Sequence, residues 1–198
     1  MMKLFIATSN LNKVEEMKKI LSDFDIEILS KEDVGALPEV EEDRGTFAGN
    51  ALKKAKTIQQ EVELPTIADD SGLSVEALDG KPGVYSARFA GTDATDQENN
   101  RKLLGLLSGI EDNRRRAHFI CVMAFIDEDG NEEIVEGKCH GEIGFEPRGE
   151  NGFGYDPLFI PDGYQQTFAQ LNSEVKNDIS HRAKALKKLR KVLVGRGL

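Results

Sequence analysis

The strongest candidate for reactive chemistry in this sequence is a pair of adjacent carboxylates that follows a short apolar segment. Thr66-Ile67-Ala68 is typical of a short strand, and Asp69-Asp70-Ser71-Gly72 comes directly after it. Ligands of α/β proteins bind beyond the carboxyl ends of strands, and adjacent residues on an extended chain point to opposite sides. We therefore expect one of the two carboxylates to face a site, where its oxygens would suit Mg²⁺. The alternative is an Asx-type turn with no chemical role.

A second group of carboxylates lies in the loop before the next predicted helix. Residues 39–43 include three glutamates and one aspartate, shortly before Thr46, where the helix is expected to begin. Acidic side chains near a helix N-terminus are stabilised by the helix dipole, so a solvated loop explains this composition without a ligand. The other interpretation is that one of the glutamates joins Asp70 in binding a metal ion.

Two further segments contain side chains that could bind an anion. Thr8-Ser9-Asn10-Leu11-Asn12-Lys13 lies between a predicted strand and a predicted helix, where hydroxyls, amides and free N–H groups can bind phosphate. Lys176 and Ser180-His181-Arg182, near the start of the last predicted helix, could donate to carbonyl oxygens of a base or to phosphate. For both segments an ordinary helix N-cap is the simpler alternative.

A glycine-rich segment, Gly152-Phe153-Gly154-Tyr155-Asp156-Pro157, could present an aromatic ring to a planar ligand. Glycines on both sides leave Phe153 little shielded by neighbouring side chains, so its ring could stack on a base. Pro157 restricts Asp156 to extended conformations and thereby fixes the direction of its carboxylate. A tight turn in which Phe153 fills a local core explains the pattern equally well.

The apolar pattern predicts an α/β domain that positions these segments. The chain opens with a strand, a helix and a second strand, an order that favours parallel strands joined by a crossover helix. Residues 117–126 are apolar on both alternating sets, as in a central strand covered on both faces. Asp129-Gly130 predicts a hairpin turn, and Thr95 with Glu98 matches a helix capping box. We predict strands at residues 3–7, 26–29, 66–68, 117–126, 132–145 and 158–160, and helices that begin near residues 10–12, 46, 95 and 180.

The composition excludes several classes of protein. The chain has 198 residues and a formal net charge of −9, which argues against broad electrostatic binding to nucleic acid or to an anionic membrane. No apolar run approaches the roughly 20 residues that span a bilayer, and the start does not match a signal peptide. Cys121 and Cys139 give no disulfide framework and are predicted to be free buried thiols. We expect a single domain over residues 1–198 in a reducing, cytoplasmic location.

Taken together and in this order, the motifs resemble the inosine triphosphate pyrophosphatase family, also called the HAM1 or non-standard purine NTP pyrophosphatase family. The resemblance covers essentially the whole chain. One departure is Ser9, where many members have glycine; a serine can still offer its backbone N–H to a phosphate. The matching segments are Thr8-Ser9-Asn10-Leu11-Asn12-Lys13, Thr46-Phe47 with Asn50-Ala51 and Lys54-Ala55, Ala68-Asp69-Asp70-Ser71-Gly72-Leu73, Pro82-Gly83-Val84-Tyr85-Ser86-Ala87-Arg88, Gly152-Phe153-Gly154-Tyr155-Asp156-Pro157 and Ser180-His181-Arg182.

The resemblance implies an α/β fold with an elongated mixed β-sheet flanked by helices, and two lobes with a central substrate cleft. It also implies a homodimer. The implied activity is the hydrolysis of ITP, dITP and XTP to the monophosphate plus pyrophosphate, with Mg²⁺ as cofactor. Such an activity removes deaminated purines from the nucleotide pool.

The resemblance also assigns roles to residues of this sequence. Asp70 would be the general base and a Mg²⁺ ligand, and Glu41 or Glu42 would be the second acidic ligand, with Glu41 slightly preferred. Four basic side chains are expected to converge in a local pocket for the polyanionic substrate, despite the acidic net charge: Lys13, Lys54, Lys176 and Arg182. The residues implied to bind the substrate are Thr8, Ser9, Asn10, Leu11, Asn12, Lys13, Lys54, Ser71, Phe153, Gly154, Tyr155, Asp156, Lys176, His181 and Arg182.

Three other interpretations stay open at this point. A Maf-like nucleotide pyrophosphatase would act on other modified nucleotides or on pyrimidine nucleotides. A nucleotide-binding regulatory module would bind the same ligands without turnover. A nucleic-acid-binding protein would use the basic final helix, an interpretation that the net charge of the chain disfavours.

Overall fold

The computed structural model describes residues 2–8 and 10–196, in which six strands and six α-helices alternate with short 3₁₀ turns. None of the helices in this part of the chain has the length and hydrophobicity of a membrane span. The strands are β1 (Met2–Ile6), β2 (Ile26–Leu29), β3 (Thr66–Val75), β4 (Arg116–Ile126), β5 (Glu132–Ile143) and β6 (Phe159–Pro161). The helices are α1 (Leu11–Ile20), α2 (Lys31–Val34), α3 (Phe47–Val62), α4 (Asp96–Leu106), α5 (Ser173–Ile179) and α6 (His181–Gly195).

The six strands form one mixed sheet in the order β2-β1-β3-β4-β5-β6. β1 pairs in parallel with both β2 and β3, as expected for strands joined by helical crossovers, whereas β5 and β6 pair antiparallel. In the β1–β3 pair, Phe5 lies opposite Thr66 and Ile6 opposite Ile67. This sheet, with its flanking helices, confirms the predicted α/β class.

The described residues form two compact units, each with its own hydrophobic core. The first unit comprises the residues up to Asp70, Cys121–Gly137 and the residues from Arg182 onward; the second comprises Ser71–Ile120 and Lys138–His181. The last predicted helix is confirmed as α6, and its leucines are buried in the first core. That core includes Leu4, Met17, Phe125, Leu186, Leu189 and Leu193. The second core includes Leu73, Phe119, Phe159 and Phe168.

The local signals for helix starts and for the hairpin turn are confirmed. The Thr46 hydroxyl accepts a hydrogen bond from the Gly49 N–H at the start of α3, and Thr95 and Glu98 form a capping box at the start of α4. Gly130 has a φ of +82° in the turn between β4 and β5, where glycine avoids the strain of a side chain. Both cysteines are buried and free, as predicted.

The sequence patterns missed two short helices, α2 and α5. α2 has four residues and α5 has seven, and neither buries a side chain. Helix prediction from sequence relies on apolar residues that recur every three or four positions over several turns. α2 is exposed, and α5 offers one such pair, Val175 and Ile179, which packs half-buried against the second core and is too short a pattern to predict a helix.

The extent of β3 corrects the sequence prediction. We expected the strand to end at Ala68 and Asp69-Asp70-Ser71-Gly72 to form a loop, but β3 continues to Val75 and contains this tetrapeptide. Nearly every residue of β3 is buried. The polar side chains suggested a loop, yet they find hydrogen-bonding and ionic partners inside the protein, which makes their burial tolerable. The Asx-turn alternative is therefore wrong.

Candidate active site

Two adjacent aspartates of β3 lie almost completely buried in the first unit. Asp69 is 1% exposed and Asp70 is 6% exposed. The Lys13 ammonium, on the first turn of α1, donates to the Asp69 carboxylate at 2.7 Å, while the Asn50 amide, on α3, donates to the Asp70 carboxylate at 2.8 Å. The two carboxylates therefore have different partners from different helices, as expected for neighbours on an extended strand.

Asp69 is held as a permanent anion. Burial by itself would raise the pKa of this carboxyl, but the positive charges of Lys13, Arg182 and Lys54 outweigh it and hold the pKa well below its usual range. A carboxylate with so low an affinity for protons is a poor general base. Its evident role is to bind and position the Lys13 ammonium.

Asp70 has the opposite behaviour. Burial raises the pKa of its carboxyl to about 6, although the hydrogen bond from Asn50 and the charges of Lys54 and Lys13 favour the ionised form. The negative charge of Glu42 adds to the increase. A carboxyl with a pKa near neutrality is ionised at physiological pH and still accepts a proton readily, as a general base must.

Asn50 fixes the orientation of the Asp70 carboxylate. Its amide oxygen accepts the backbone N–H of Arg44 at 2.8 Å, so its amide nitrogen is left to donate to Asp70. Asn50 is buried on the inner face of α3, together with Ala51 and Ala55. No role in the site was predicted for Asn50 from the sequence, although a lone amide among the buried apolar residues of a helix was the available signal.

Lys54 lies one turn after Asn50 on α3 and binds both the acidic loop and β3. Its ammonium pairs with the Glu42 carboxylate and donates to the Asp69 carbonyl oxygen at 3.0 Å. Burial would lower the pKa of this lysine, but the charges of Asp69 and Glu42 raise it above its usual range. Lys54 therefore stays charged at physiological pH.

The two glutamates considered as metal ligands have different surroundings. The Glu42 side chain lies in the cluster with Lys54 and influences Asp70. The Glu41 side chain is exposed, and its backbone carbonyl accepts a hydrogen bond from the Lys53 ammonium at 2.8 Å. The geometry therefore favours Glu42, whereas the resemblance had led us to prefer Glu41.

The described residues contain no group of three or more His, Cys, Asp or Glu side chains that could hold a metal ion by themselves. Asp70 and Glu42 nevertheless suit Mg²⁺, which commonly uses one or two protein carboxylates and completes its shell with waters and substrate phosphates. The donor set fits a magnesium ion that is bound together with a phosphorylated ligand rather than a permanent all-protein site. We call Lys13, Glu42, Asn50, Lys54, Asp69 and Asp70 the β3 cluster.

The remaining predicted phosphate-binding residues precede α1 or begin it. The Asn10 side chain caps the helix by accepting the Lys13 N–H at 3.3 Å, and the Thr8 hydroxyl accepts the Asn10 N–H at 3.3 Å. The side chains of Leu11 and Asn12 are exposed. Ser9 lies outside the described residues.

Arg182, at the start of α6, is buried rather than exposed. Its guanidinium pairs with Glu16 of α1 and also interacts electrostatically with Asp69. Those two carboxylates raise its pKa further, although burial opposes them. Of the basic residues expected to converge, three surround Asp69: Lys13, Lys54 and Arg182.

In the second unit, a buried carboxylate shapes the predicted base-binding loop. The Asp156 carboxylate accepts the Phe153 N–H at 2.9 Å and the Lys176 ammonium at 2.6 Å. Gly152 makes this turn possible, because it has a φ of +78° and an added Cβ would lie 2.1 Å from the Asp156 carboxylate oxygen. We call residues 152–156 the glycine loop.

Phe153 is the half-buried aromatic side chain of the glycine loop. The Lys176 ammonium lies 5.2 Å from the centre of its ring, within the range of a cation–π contact. Tyr155 is buried and donates its hydroxyl to the Ser86 carbonyl oxygen at 2.8 Å. Phe153 is thus the partly exposed aromatic ring of the loop, and Tyr155 is the buried one.

His181 and Ser71 complete the set of predicted site residues. The His181 ring is buried and stacks on Phe119, with a centroid distance of 4.7 Å and an interplanar angle of 12°. Ser71 follows Asp70 in β3 and is half-buried. The simpler alternative for Ser180-His181-Arg182 was a helix N-cap with exposed basic neighbours. Its exposed neighbours are wrong, because His181 and Arg182 are both buried.

Comparison with known proteins agrees with the resemblance noted in the sequence. The profile of the Ham1 family matches residues 4–192. A dITP/XTP pyrophosphatase of Desulforamulus reducens is 50% identical over 97% of this chain and 96% of its own length. A dITP/XTP pyrophosphatase of Thermoanaerobacter pseudethanolicus is 47% identical, with 98% of each chain covered.

Two solved structures extend this agreement to three dimensions. A HAM1 protein from Coxiella burnetii superposes with a TM-score of 0.91 at 42% identity, covering 98% of this chain and 100% of that one. The Ham1 protein of Staphylococcus aureus gives a TM-score of 0.89 at 39% identity, covering 98% and 99%. The chain belongs to the Ham1 family.

Proposed function

We propose that this protein is a nucleoside triphosphate pyrophosphatase that hydrolyses ITP, dITP and XTP to the monophosphate plus pyrophosphate. Relatives named dITP/XTP pyrophosphatase share about half of its residues over nearly the whole chain. The observation that carries the proposal is Asp70, a buried carboxyl with a pKa of about 6 that lies among lysine ammonium groups. A base and fixed positive charges in one cluster are what the hydrolysis of a phosphoanhydride requires.

Asp70 accepts the proton of the attacking water in this mechanism. Water attacks the α-phosphorus, the α–β phosphoanhydride bond breaks, and pyrophosphate leaves. The Asn50 amide holds the Asp70 carboxylate in one orientation, which restricts the direction from which a water can be deprotonated. General-base catalysis of this kind contributes about 10²–10⁴-fold to a rate.

Lys13 and Lys54 stabilise the negative charge that develops on the departing pyrophosphate. Fixed ammonium groups in a partly buried site act more strongly on such charge than they would in water. Asp69 positions both lysines, through its carboxylate for Lys13 and through its backbone carbonyl for Lys54. The low pKa of Asp69 keeps this arrangement intact whatever the protonation state of Asp70.

Mg²⁺ would be held by Asp70 and Glu42, the two carboxylates of the β3 cluster that suit it. When bound, the ion neutralises charge on the phosphate oxygens of the substrate. Glu42 takes the role for which Glu41 was first preferred, because its side chain is the one in the cluster.

The glycine loop binds the base in this proposal. Phe153 stacks on the purine, and the Lys176 ammonium beside its ring donates to the 6-oxo oxygen. Adenine carries an amino donor at that position and would leave the N–H of Lys176 that faces the base without an acceptor, while the pair with Asp156 stays intact. Sites built in this way can discriminate by about 10⁴-fold. On the basis of the family resemblance, we also propose that the protein is a homodimer, that residues 1–198 form a single domain and that the protein is cytoplasmic.

The test is a substrate panel with product identification. ITP, XTP, dITP, ATP, GTP, dTTP and UTP are incubated with the protein, with Mg²⁺ or with EDTA, and the products are separated by ion-exchange chromatography. We expect monophosphate plus pyrophosphate from the 6-oxo purine nucleotides, only with Mg²⁺. Faster turnover of dTTP or UTP would indicate a Maf-like specificity, and binding of ITP without products would indicate a regulatory module; either result overturns the proposal.

A further inference from the structure

We propose that Asp96 and Asn100, on the first turns of α4, are positioning residues that hold the glycine loop in its nucleotide-binding conformation. Both lie outside the segments that carry the family resemblance. The inference rests on the proposed function, because it assigns them to the base-binding part of that site. They act through the loop backbone and do not touch the substrate.

The two side chains form hydrogen bonds with the backbone N–H and the backbone carbonyl of Gly154. The Asp96 carboxylate accepts the Gly154 N–H at 2.6 Å, and the Asn100 amide nitrogen donates to the Gly154 carbonyl oxygen at 2.9 Å. The residues are four positions apart, so they lie on the same face of the helix. Together they fix the peptide groups on both sides of Gly154.

The backbone of Gly154 depends on these hydrogen bonds to keep one conformation. Its φ is +61° and nothing lies within 4 Å of the position that a Cβ would take. Glycine loses more conformational freedom on ordering than any other residue, and no side chain of its own packs here to compensate. Without external hydrogen bonds, the loop on either side of Gly154 would sample several conformations.

The neighbouring residues of the loop are fixed by other partners. The Asp156 carboxylate accepts the Phe153 N–H, and Tyr155 donates to the Ser86 carbonyl oxygen. Asp96 and Asn100 therefore hold the backbone at Gly154, between Phe153 and Tyr155, which have their own hydrogen-bond partners. The result is a loop held by its backbone at successive residues, and preorganisation of this kind lowers the entropic cost of binding a ligand.

The start of α4 is itself well anchored, as a positioning element must be. Thr95 and Glu98 form a capping box that holds the first turn. The Asn99 side chain accepts the Ala90 N–H at 2.7 Å and donates to the Ala87 carbonyl oxygen at 3.0 Å. These bonds tie the helix start to the preceding segment, so Asp96 and Asn100 project from a rigid base.

Asn100 carries a further sign that its role is not simply packing. It is buried, and within residues 2–8 and 10–196 its amide oxygen has no hydrogen-bond partner. An unsatisfied buried acceptor costs stability, so an apolar residue such as leucine would suit packing better. The hydrogen bond to Gly154 is the contact that an apolar residue could not make.

The first measurement needs no nucleotide. Hydrogen–deuterium exchange of the 152–156 segment is compared in the wild type, Asp96→Ala, Asn100→Leu, Asp96→Asn and Asp93→Ala. We expect faster exchange in Asp96→Ala and Asn100→Leu. Asp96→Asn keeps an acceptor oxygen and should restore part of the protection. Asp93→Ala, which changes an exposed aspartate three residues before Asp96, should leave the exchange unchanged. Unchanged exchange in both Asp96→Ala and Asn100→Leu would overturn the inference.

The second measurement separates positioning from stability. In steady-state ITP hydrolysis, KM should rise about tenfold in Asp96→Ala and in Asn100→Leu, the size of effect expected for one lost hydrogen bond. The kcat should stay within about twofold, and the melting temperature of Asn100→Leu should equal or exceed that of the wild type. A rise in KM that is matched by a lower melting temperature in both variants would mark a merely structural role and overturn the inference. If wild-type protein does not hydrolyse ITP while exchange changes as expected, the proposed function fails and the positioning of the loop stands.

Discussion

The β3 cluster and the glycine loop each contain a buried carboxylate paired with a lysine, yet they are suited to different tasks. The distance from the Lys13 Nζ to the Asp69 Oδ2 is 2.7 Å, and that from the Lys176 Nζ to the Asp156 Oδ2 is 2.6 Å, so the two ion pairs have nearly the same geometry. The β3 cluster adds a second buried carboxylate, Asp70, whose pKa is raised to about 6. Asp156 has no such neighbour in the glycine loop. An ion pair in which the two charges balance holds side chains in place. Acid–base chemistry needs a neighbouring group such as Asp70, whose negative charge is only partly balanced by positive charges.

The two regions also hold their side chains by different means. In β3, a strand fixes the backbone, and the helices α1 and α3 bring Lys13, Asn50 and Lys54 to it. In the glycine loop, side chains such as Asp156 fix the backbone instead. Changes in the β3 cluster should therefore act on chemistry and stability, and changes in the loop should act on nucleotide binding.

The largest effect is expected for Asp70→Asn. The amide keeps the size and the hydrogen bond to Asn50 but cannot accept the proton of water. Pyrophosphate release from saturating ITP at pH 7.5 should fall by about 10²–10⁴-fold, with KM changed much less. The matched control is Asp33→Asn, an exposed aspartate of α2. Retention of more than a tenth of the rate would remove Asp70 as the base.

Asp69→Asn and Asp70→Asn should change stability in opposite directions. Asp69→Asn leaves Lys13 without its buried counter-charge, which should lower the free energy of unfolding by about 3 kcal/mol. Asp70→Asn removes a carboxylate that is costly to ionise in its buried position, so the free energy of unfolding should rise at neutral pH. Urea unfolding in EDTA at pH 7.5 measures both, and a change of the same sign in both variants would contradict the comparison.

The pH dependence of the Asp70 effect has a definite sign. The folded-state pKa of about 6 lies above the ordinary value of 3.8, so the folded protein binds the extra proton between about pH 4 and 6. The wild type should therefore lose stability relative to Asp70→Asn as the pH rises through this window, by up to about 3 kcal/mol. Below pH 3.8 the two should agree. For catalysis, which the proposal makes dependent on Mg²⁺, a cation bound by Asp70 would favour the ionised carboxylate, so the wild-type rate should fall with decreasing pH only below the metal-free value of about 6.

Gly152→Ala should disrupt the glycine loop at the point where Asp156 folds it. The new methyl group would meet the Asp156 carboxylate oxygen, which sits 2.1 Å from its position. We expect KM for ITP to rise about tenfold or more, with a smaller change in kcat. Gly163→Ala is the matched control, because Gly163 has a similar φ of +85° with open space around it. Equal effects in both variants would show that backbone strain, and not the contact with Asp156, is responsible.

The smallest effect is expected for Phe153→Ala. Loss of a base–aromatic stacking contact on this half-buried ring should cost about 1 kcal/mol, the lower end of the range for such contacts, which corresponds to a rise in KM of roughly fivefold. The exposed Phe145 of the same unit, whose ring lies 4.4 Å from the Arg115 guanidinium, serves as the control in Phe145→Ala. An unchanged KM in Phe153→Ala would mean that the loop does not bind the base by stacking.

Much of the fold could be predicted from the sequence because its signals are local. The apolar runs predicted the strands, and Thr46, Thr95 and Glu98 marked the helix starts. The length of β3 could not be predicted, because its polar residues are tolerated only through partners that are distant in the sequence. The role of Asn50 could not be predicted for the same reason, because its two hydrogen bonds join the backbone of Arg44 to the Asp70 carboxylate of β3.

By itself, the sequence determined the chemical inventory of this protein: two adjacent carboxylates, an acidic loop, lysines near helix starts and an aromatic ring between glycines. It also determined the family, through the order of its motifs. The tertiary structure decided which aspartate stays ionised and which has a raised pKa. That difference depends on burial and on charges brought from Lys13, Lys54 and Arg182, and both are properties of packing that neighbouring positions in a sequence do not contain.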